Sequence, residues 1–298
     1  MRNALCLLFV ALMSTGCIKK IALNSMADAL SGSTGGSFTQ DDDLEFVGDA
    51  LPFALKTMEA ISEQTPKHVG LKETLCSGTT QYAMVYVKWP ADQLRYDDYS
   101  GYETGIARTK KFLDRSERFC MAALELKHEG FAERIYSDTD ALMAEMDEDD
   151  VLLLYWTGAT WLARISISKD DMEAIGQLPF AATLMERALV LDEDWGKGAL
   201  HDMMVLLEPN SPMPGGLDRA REHFERAVEL SNGTLASPYV SLGTSVSYSE
   251  QKKDEFVELM EKALEVDPLA SPEDQLANLY AQAQARFYLD HLDDLFLE

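Results

Sequence analysis

Chemistry in this chain of 298 residues would have to come from five histidines, four cysteines and a few acidic runs. The histidines are His68, His128, His201, His223 and His291, and no two stand four apart, the spacing that sets two imidazoles on one helix face for a metal. His201-Asp202 has the residue types of a general base and its partner. Neighbours on a helix point about 100° apart, however, so the two read more simply as a surface pair. Asp41-Asp42-Asp43 has metal-binding residue types, but consecutive side chains diverge around a helix, and carboxylates there suit the positive N-terminal end of one. No nucleophile elbow, P-loop, dinucleotide fingerprint or H-E-x-x-H occurs. The chain therefore carries no predicted catalytic residue, metal site or cofactor, and an enzyme is a weak reading.

The cysteines form no C-x2-C pattern. Cys6 falls in an apolar run, Ala4 to Met13, that follows Arg2 and is too short to span a bilayer. That run ends in Ser14-Thr15-Gly16-Cys17, which resembles a bacterial lipoprotein signal, with Ser14 where Leu is usual. It predicts a signal peptide over 1–16 and a lipid on Cys17, against plain secretion with a chance cysteine. Two buried acyl chains would make such anchoring stable. Ile18, rather than Asp, after the cysteine resembles outer-membrane sorting. Cys76 and Cys120 lie on neighbouring predicted helices; an exported chain could bridge them, but Cα separation decides, and two unpaired buried thiols are the expectation.

The elements that would position any site are helical. Ala220, Phe224 and Ala227 share one helix face, and Asn232 ends that helix five residues on. The same spacing returns at Phe256, Met260, Ala263, Pro268 and at Ala54, Met58, Ile61, Pro66. It returns more loosely at Ala181, Met185, Ala188 and at Ser116, Cys120, Ala123. Small or aromatic residues at this spacing suit the second helix of a tetratricopeptide repeat (TPR), and Tyr239-x2-Leu242-Gly243-x2-Val246 suits a first helix. The predicted fold is all-α, a TPR-like array of helix pairs over 41–298, preceded by a flexible tether over 17–40 that contains Ser31-Gly-Ser-Thr-Gly-Gly-Ser37. Helices are expected near 44–65, 69–88, 104–128, 139–164 with a break at Asp147–Asp150, 179–192, 196–207, 217–230, 235–248, 252–265 and 273–296. Tyr82–Lys88 has strand-like composition but sits among helices and is kept helical. Trp156 and Trp161 read as core fillers. A net charge of −25 excludes a nucleic-acid role, since phosphate would be repelled.

Several stretches together resemble one family. They are Ala27-Asp28-Ala29-Leu30-Ser31-Gly32, Phe38-Thr39-x-Asp41-Asp42-Asp43 and Asp49-Ala50-Leu51-Pro52-Phe53-Ala54-Leu55-Lys56. To these add Cys76-Ser77-Gly78-x2-Gln81-Tyr82-Ala83, the Ala220–Ala227 phrase and Leu276-Ala277-Asn278-Leu279-x-Ala281-Gln282-x2-Ala285-Arg286. The resemblance is to the TatT family, lipoproteins associated with TRAP transporters. It implies a periplasmic, lipid-anchored TPR-like protein that assembles with the transporter's solute-binding protein; Ile18 favours the outer membrane for the anchor, with the inner membrane as the alternative. It further implies a small organic anion or hydrophobic acid as ligand, and self-association as a trimer. A TPR lipoprotein serving outer-membrane or pilus assembly is the alternative.

Two groups of residues are candidate contacts for the partner or ligand. Insertions at 89–103, 165–178 and 209–216 are expected in the turns along one edge of the array. They offer Trp89, Tyr96, Tyr99, Tyr102 and, between prolines, Met213, with no core to demand them. On the last helix Asn278, Gln282 and Arg286 recur every four residues. They form a polar line that either is solvated, bonds neighbouring backbone, or lines a channel.

Overall fold

The computed structural model describes residues 21–32, 36–210 and 216–296, and among the described residues it is all-α, without a strand. Helix α1 covers residues 21–30. Helix α2, Leu44–Gln64, starts at Asp43, whose carboxylate accepts the Phe46 amide at 3.0 Å, while Asp41 accepts the Asp43 amide at 2.9 Å. The aspartate run thus caps the helix, as its spacing predicts, and α2 runs on through Pro52. Helix α3, Val69–Gln81, passes without a break through a π-helical stretch, Tyr82–Lys88, into α4, Trp89–Gln93. The wider turns precede Pro90, which has no N–H to give and whose ring would crowd the carbonyl four residues back.

The middle of the chain holds α5 (Tyr99–Lys127), α6 (Phe131–Ser137), α7 (Thr139–Glu145), α8 (Val151–Ser166), α9 (Met172–Gly176) and α10 (Leu178–Leu191). The last part holds α11 (Ala199–Leu207), α12 (Gly216–Leu230), α13 (Ser237–Leu242, prolonged by a π-helical stretch to Ser247), α14 (Lys253–Glu265), α15 (Gln275–Asp290) and α16 (Leu292–Leu295). Two expected insertions are largely helix. Of 89–103, only residues 94–98 lie outside α4 and α5, because Asp98 caps α5 through the Gly101 amide at 3.0 Å. Of 165–178, Asp171 starts α9 by accepting the Glu173 and Ala174 amides. Helix α6 has no counterpart in the sequence reading. Phe131 and Ile135, four apart and both fully buried, hold it in the core.

Consecutive helices pack as neighbours: α3 on α5, α5 on α8, α8 on α10, α11 on α12, α13 on α14 and α14 on α15. The recurring sequence face is the buried one. Ser116, Cys120, Ala123, Ala181, Met185, Ala188, Ala220, Ala227, Phe256, Met260 and Ala263 are all at most 1% exposed. The crossings repeat in detail. Gly158 of α8 lies against the Met185 methyl of α10, and Gly243 of α13 against the Met260 methyl of α14; a Cβ at either glycine would come within 2.7 and 2.5 Å of those methyls. At the α3–α5 crossing the corresponding contact is covalent: Cys76 and Cys120 are joined as a disulfide, with Cα atoms 4.8 Å apart. This corrects the expectation of two free thiols. The crossing is close enough to bring the Cα atoms within bonding range.

The chain also closes on itself. The Leu276 amide of α15 donates to the Thr39 carbonyl at 2.9 Å, and Trp89 of α4 packs edge-on against Tyr280, Phe287 and Tyr288. The stretch expected as a tether is in part docked. Ala27 of α1 is fully buried, Asp28 meets His68 at 2.8 Å, and the Gly32 amide donates to Thr74 Oγ1 at 2.9 Å.

One crossing has no room to spare. Gly198, at φ +90°, precedes α11, and a Cβ there would stand 3.1 Å from the Ala227 Cα. Ala227→Leu should therefore overpack the α11–α12 crossing and cost about 1–3 kcal/mol. Exposed Glu225→Ala should leave the melting temperature almost unmoved. Equal effects in thermal unfolding would refute this register.

Candidate functional site

Two clusters inside the helix array have the makings of a site. The first lies where α8, α11 and α13 meet. Tyr155 of α8 meets Trp156 edge-on at 5.0 Å and Trp195 at a tilt at 4.7 Å, and burial pushes its phenol well above the ordinary range, with Asp202 adding to the shift. Burial likewise raises the Asp202 carboxyl; hydrogen bonds from Ser241 and Ser237 oppose it but do not win. One Asp202 carboxyl oxygen, Oδ1, is buried without a hydrogen-bond partner. The Thr157 hydroxyl, on a fully buried residue of α8, is also unpartnered.

His201, next to Asp202, turns the other way. Its Nδ1 meets His223 Nδ1 of α12 at 2.7 Å, so one ring donates and the other accepts, and its Nε2 meets Glu193 at 3.2 Å. Arg226 donates to the same Glu193 oxygen at 2.8 Å. Burial holds both imidazoles below their usual range, so they are neutral near pH 7. Of the surface pair expected at His201-Asp202, His201 is thus buried and Asp202 half-buried, on diverging faces. Helix α11 packs against α8, α12 and α13 and keeps a solvent side at Leu206, but His201 does not lie on that side.

The second cluster is the aromatic seam at which α15 closes the chain. Trp89 is 7% exposed and reaches Phe287 at 5.2 Å, and Tyr96 stacks on His291 at 5.5 Å. Burial raises the Tyr280 and Tyr288 phenols far above the ordinary range. Burial also lifts Tyr86, on the π-helical stretch before Trp89, to about 12, and its hydroxyl is buried without a partner. Trp89 and Tyr96 are therefore part of a packed seam rather than free loop aromatics. Tyr99 stays 61% exposed beside Tyr102, with ring centres 5.7 Å apart and Arg95 over the Tyr102 ring.

The polar line on α15 divides. Asn278 accepts the Ala236 amide and donates to the Thr234 carbonyl, each at 2.9 Å. The Gln282 amide reaches the carbonyls of Ala263, Leu264 and Val266. Both residues are buried and satisfy backbone at the end of α14 and the start of α13, whereas Arg286 is exposed. Trp161 is a core filler, as expected, with its indole donating to Glu117 at 2.9 Å. Cys17 and Met213 lie outside the described residues. Tyr155 and the Ser237 and Ser241 hydroxyls have no counterpart in the sequence reading, and Asp202 stood there only as one of a surface pair. Their one sequence signal was a charged residue within a predicted helix of otherwise apolar character.

Among the described residues no group of three or more histidines, cysteines or carboxylates could hold a metal. Fold and clusters together define an all-α protein of packed helices, cross-linked by a disulfide, whose interior offers aromatic and hydroxyl groups. The chain belongs to the family of TRAP transporter T-components, whose model matches residues 40–296. That family is a transport-associated component of the cell envelope rather than a known enzyme family. The chain is also similar to an uncharacterized protein of Treponema pallidum (strain Nichols), 25% identical over 307 residues, which covers 96% of this chain and 95% of that one.

Asp202 gives the site a measurable signature. A carboxyl held above its ordinary value of 3.8 costs stability as the pH rises past that value, because the unfolded chain then gives up its proton while the folded state still holds it. Asp202→Asn should therefore raise the melting temperature at about pH 7.5, with the gain shrinking as the pH falls to about 4. A less stable Asp202→Asn at neutral pH would mean that Asp202 is a paired structural group.

Proposed function

We propose that this chain is the periplasmic, lipid-anchored T-component that associates with the solute-binding protein of a TRAP transporter. The observation that carries the reading is the family match over residues 40–296. A disulfide between Cys76 and Cys120 supports an oxidising compartment. The Ser14-Thr15-Gly16-Cys17 sequence supports a lipid on Cys17 and an outer-membrane site. The buried recurring face and the paired Gly158–Met185 and Gly243–Met260 contacts support a TPR-like superhelix. In this reading Tyr99, Tyr102, Met213 and Arg286 contact the partner, with Trp89 and Tyr96 as further candidates. The interior clusters around Tyr155 and Tyr280 receive a small organic or hydrophobic ligand passed to or from the solute-binding protein. Self-association, as a trimer, belongs to the same reading.

Capture of the purified solute-binding protein by the membrane-extracted chain tests this. The wild-type chain should start at an acylated Cys17 by intact mass and should retain the partner. Tyr99→Ala should weaken retention without changing thermal stability, and Cys17→Ser should release the chain from the membrane. No retention by the wild-type chain would overturn the partner assignment.

A further inference from the structure

A groove on the outside of the molecule, between α2, α3 and α5, has an unusual charge for so acidic a protein. Its cavity is about 180 Å³ and its apolar wall includes Leu55, Tyr82, Phe112 and Phe119. Three cations edge it, Lys56, Arg108 and Arg115, against one carboxylate, Glu59. The chain as a whole carries −25. On α5 the residues Arg108, Phe112, Arg115 and Phe119 recur at spacings of four, three and four, which places them along one helix face.

The two arginines are poorly used by the protein itself. Among the described residues Arg108 pairs with no carboxylate; it donates to the Tyr82 hydroxyl at 3.3 Å and lies over the Phe112 ring at 5.4 Å. Arg115 lies over the same ring at 5.5 Å and reaches Glu59 only at 4.0 Å, while Glu59 is taken by Lys56 at 2.6 Å. A guanidinium has a planar fork of donors that matches a carboxylate. Two of them flanking one aromatic ring leave such a fork open on each side of an apolar floor.

The surface beside the groove is apolar as well. Phe46 and Phe53, seven residues apart on α2, are 66% and 80% exposed. Phe53 neighbours Pro52 and lies one turn from Lys56, both of which border the groove. Exposed phenylalanines in register on one helix leave apolar area that a folded chain ordinarily hides. They extend the recognition surface well beyond what a small anion would cover.

We propose that this groove docks an acidic segment of another protein, with a carboxylate held between Arg108 and Arg115 and a neighbouring apolar side chain on Phe53 and Phe119. Charge complementarity selects the occupant: lysine-rich segments are repelled by the three cations, and wholly apolar ones leave both guanidiniums unpaired. The assignment concerns the segment's chemistry and holds whichever protein supplies it.

The test is a fluorescence-anisotropy titration with a labelled peptide of alternating aspartate and phenylalanine or leucine, beside the same peptide with lysine for aspartate. The acidic peptide should bind the full chain and the lysine peptide should not. Reversing both arginines, Arg108→Glu with Arg115→Glu, should weaken binding about tenfold or more, because each replacement turns an attraction for the acidic segment into a repulsion. Phe53→Ala, a change at an exposed position, should weaken it too while leaving the melting temperature unchanged, which separates a lost contact from a lost fold. The proposal is overturned if the acidic peptide does not bind, if the lysine peptide binds equally, or if both variants bind as the wild type does. Displacement of the peptide by phenylpropionate at a similar concentration would overturn it in favour of a small organic anion.

Discussion

The close crossing of neighbouring helices is the contact on which the rest of the structure depends. At α8–α10 and α13–α14 a glycine on one helix receives a methionine methyl from the other. At α11–α12 Gly198 receives the backbone of Ala227. At α3–α5 the same close approach is made permanent by the Cys76–Cys120 bond. Helices that approach this closely exchange side-chain volume for backbone proximity, so each position tolerates little change. Around the disulfide the packing is partly polar: Thr80 bonds both Ser116 and Thr160 at 2.6 Å, and Ser116 donates to the Cys76 carbonyl at 2.7 Å. Those hydroxyls tie three helices, α3, α5 and α8, together beside the disulfide.

From the crossings follows the closed path of the chain, and from closure the interior clusters. Helix α15 meets both α14 and the N-terminal segment, through Leu276, Trp89 and the Asn278 and Gln282 amides. A helix placed last in the sequence thus seals the first elements. The rings of Tyr280 and Tyr288 are desolvated there, against Trp89, and burial raises their phenols.

Much of the fold was legible from spacing. The Ala220–Phe224–Ala227 phrase marks a buried face because small residues every three or four positions are needed wherever helices cross closely, and Asp41–Asp43 marks a helix start because a carboxylate satisfies open amides. The break at Asp147–Asp150 was also visible. What spacing does not carry is distance between elements. Cys76 and Cys120 lie 44 residues apart in sequence, and only the crossing brings them together. Nor does it carry enclosure: His201, Asp202 and Trp89 are ordinary residues on short helices until neighbours cover them. Asn278 and Gln282 stood out as a polar line, but their bonds to the Thr234 and Val266 carbonyls depend on where α13 and α14 end. The Arg108-Phe112-Arg115-Phe119 face was present in the sequence, and only the adjoining α2 makes it a groove.

The most direct measurement of the account is unfolding of the wild type against Cys76→Ala/Cys120→Ala, with native hydrogen exchange on both. In the wild type purified without reductant, both thiols should resist alkylation until the chain is reduced and unfolded. Their removal should cost about 2–4 kcal/mol, the usual worth of a cross-link closing a loop of this length. Amide protection should fall first in α3 and α5 while α13 to α15 keep theirs. Free thiols in the native protein, or equal stability and protection in the two chains, would contradict the claim that close helix crossings, fixed at this one by a covalent bond, hold the array together.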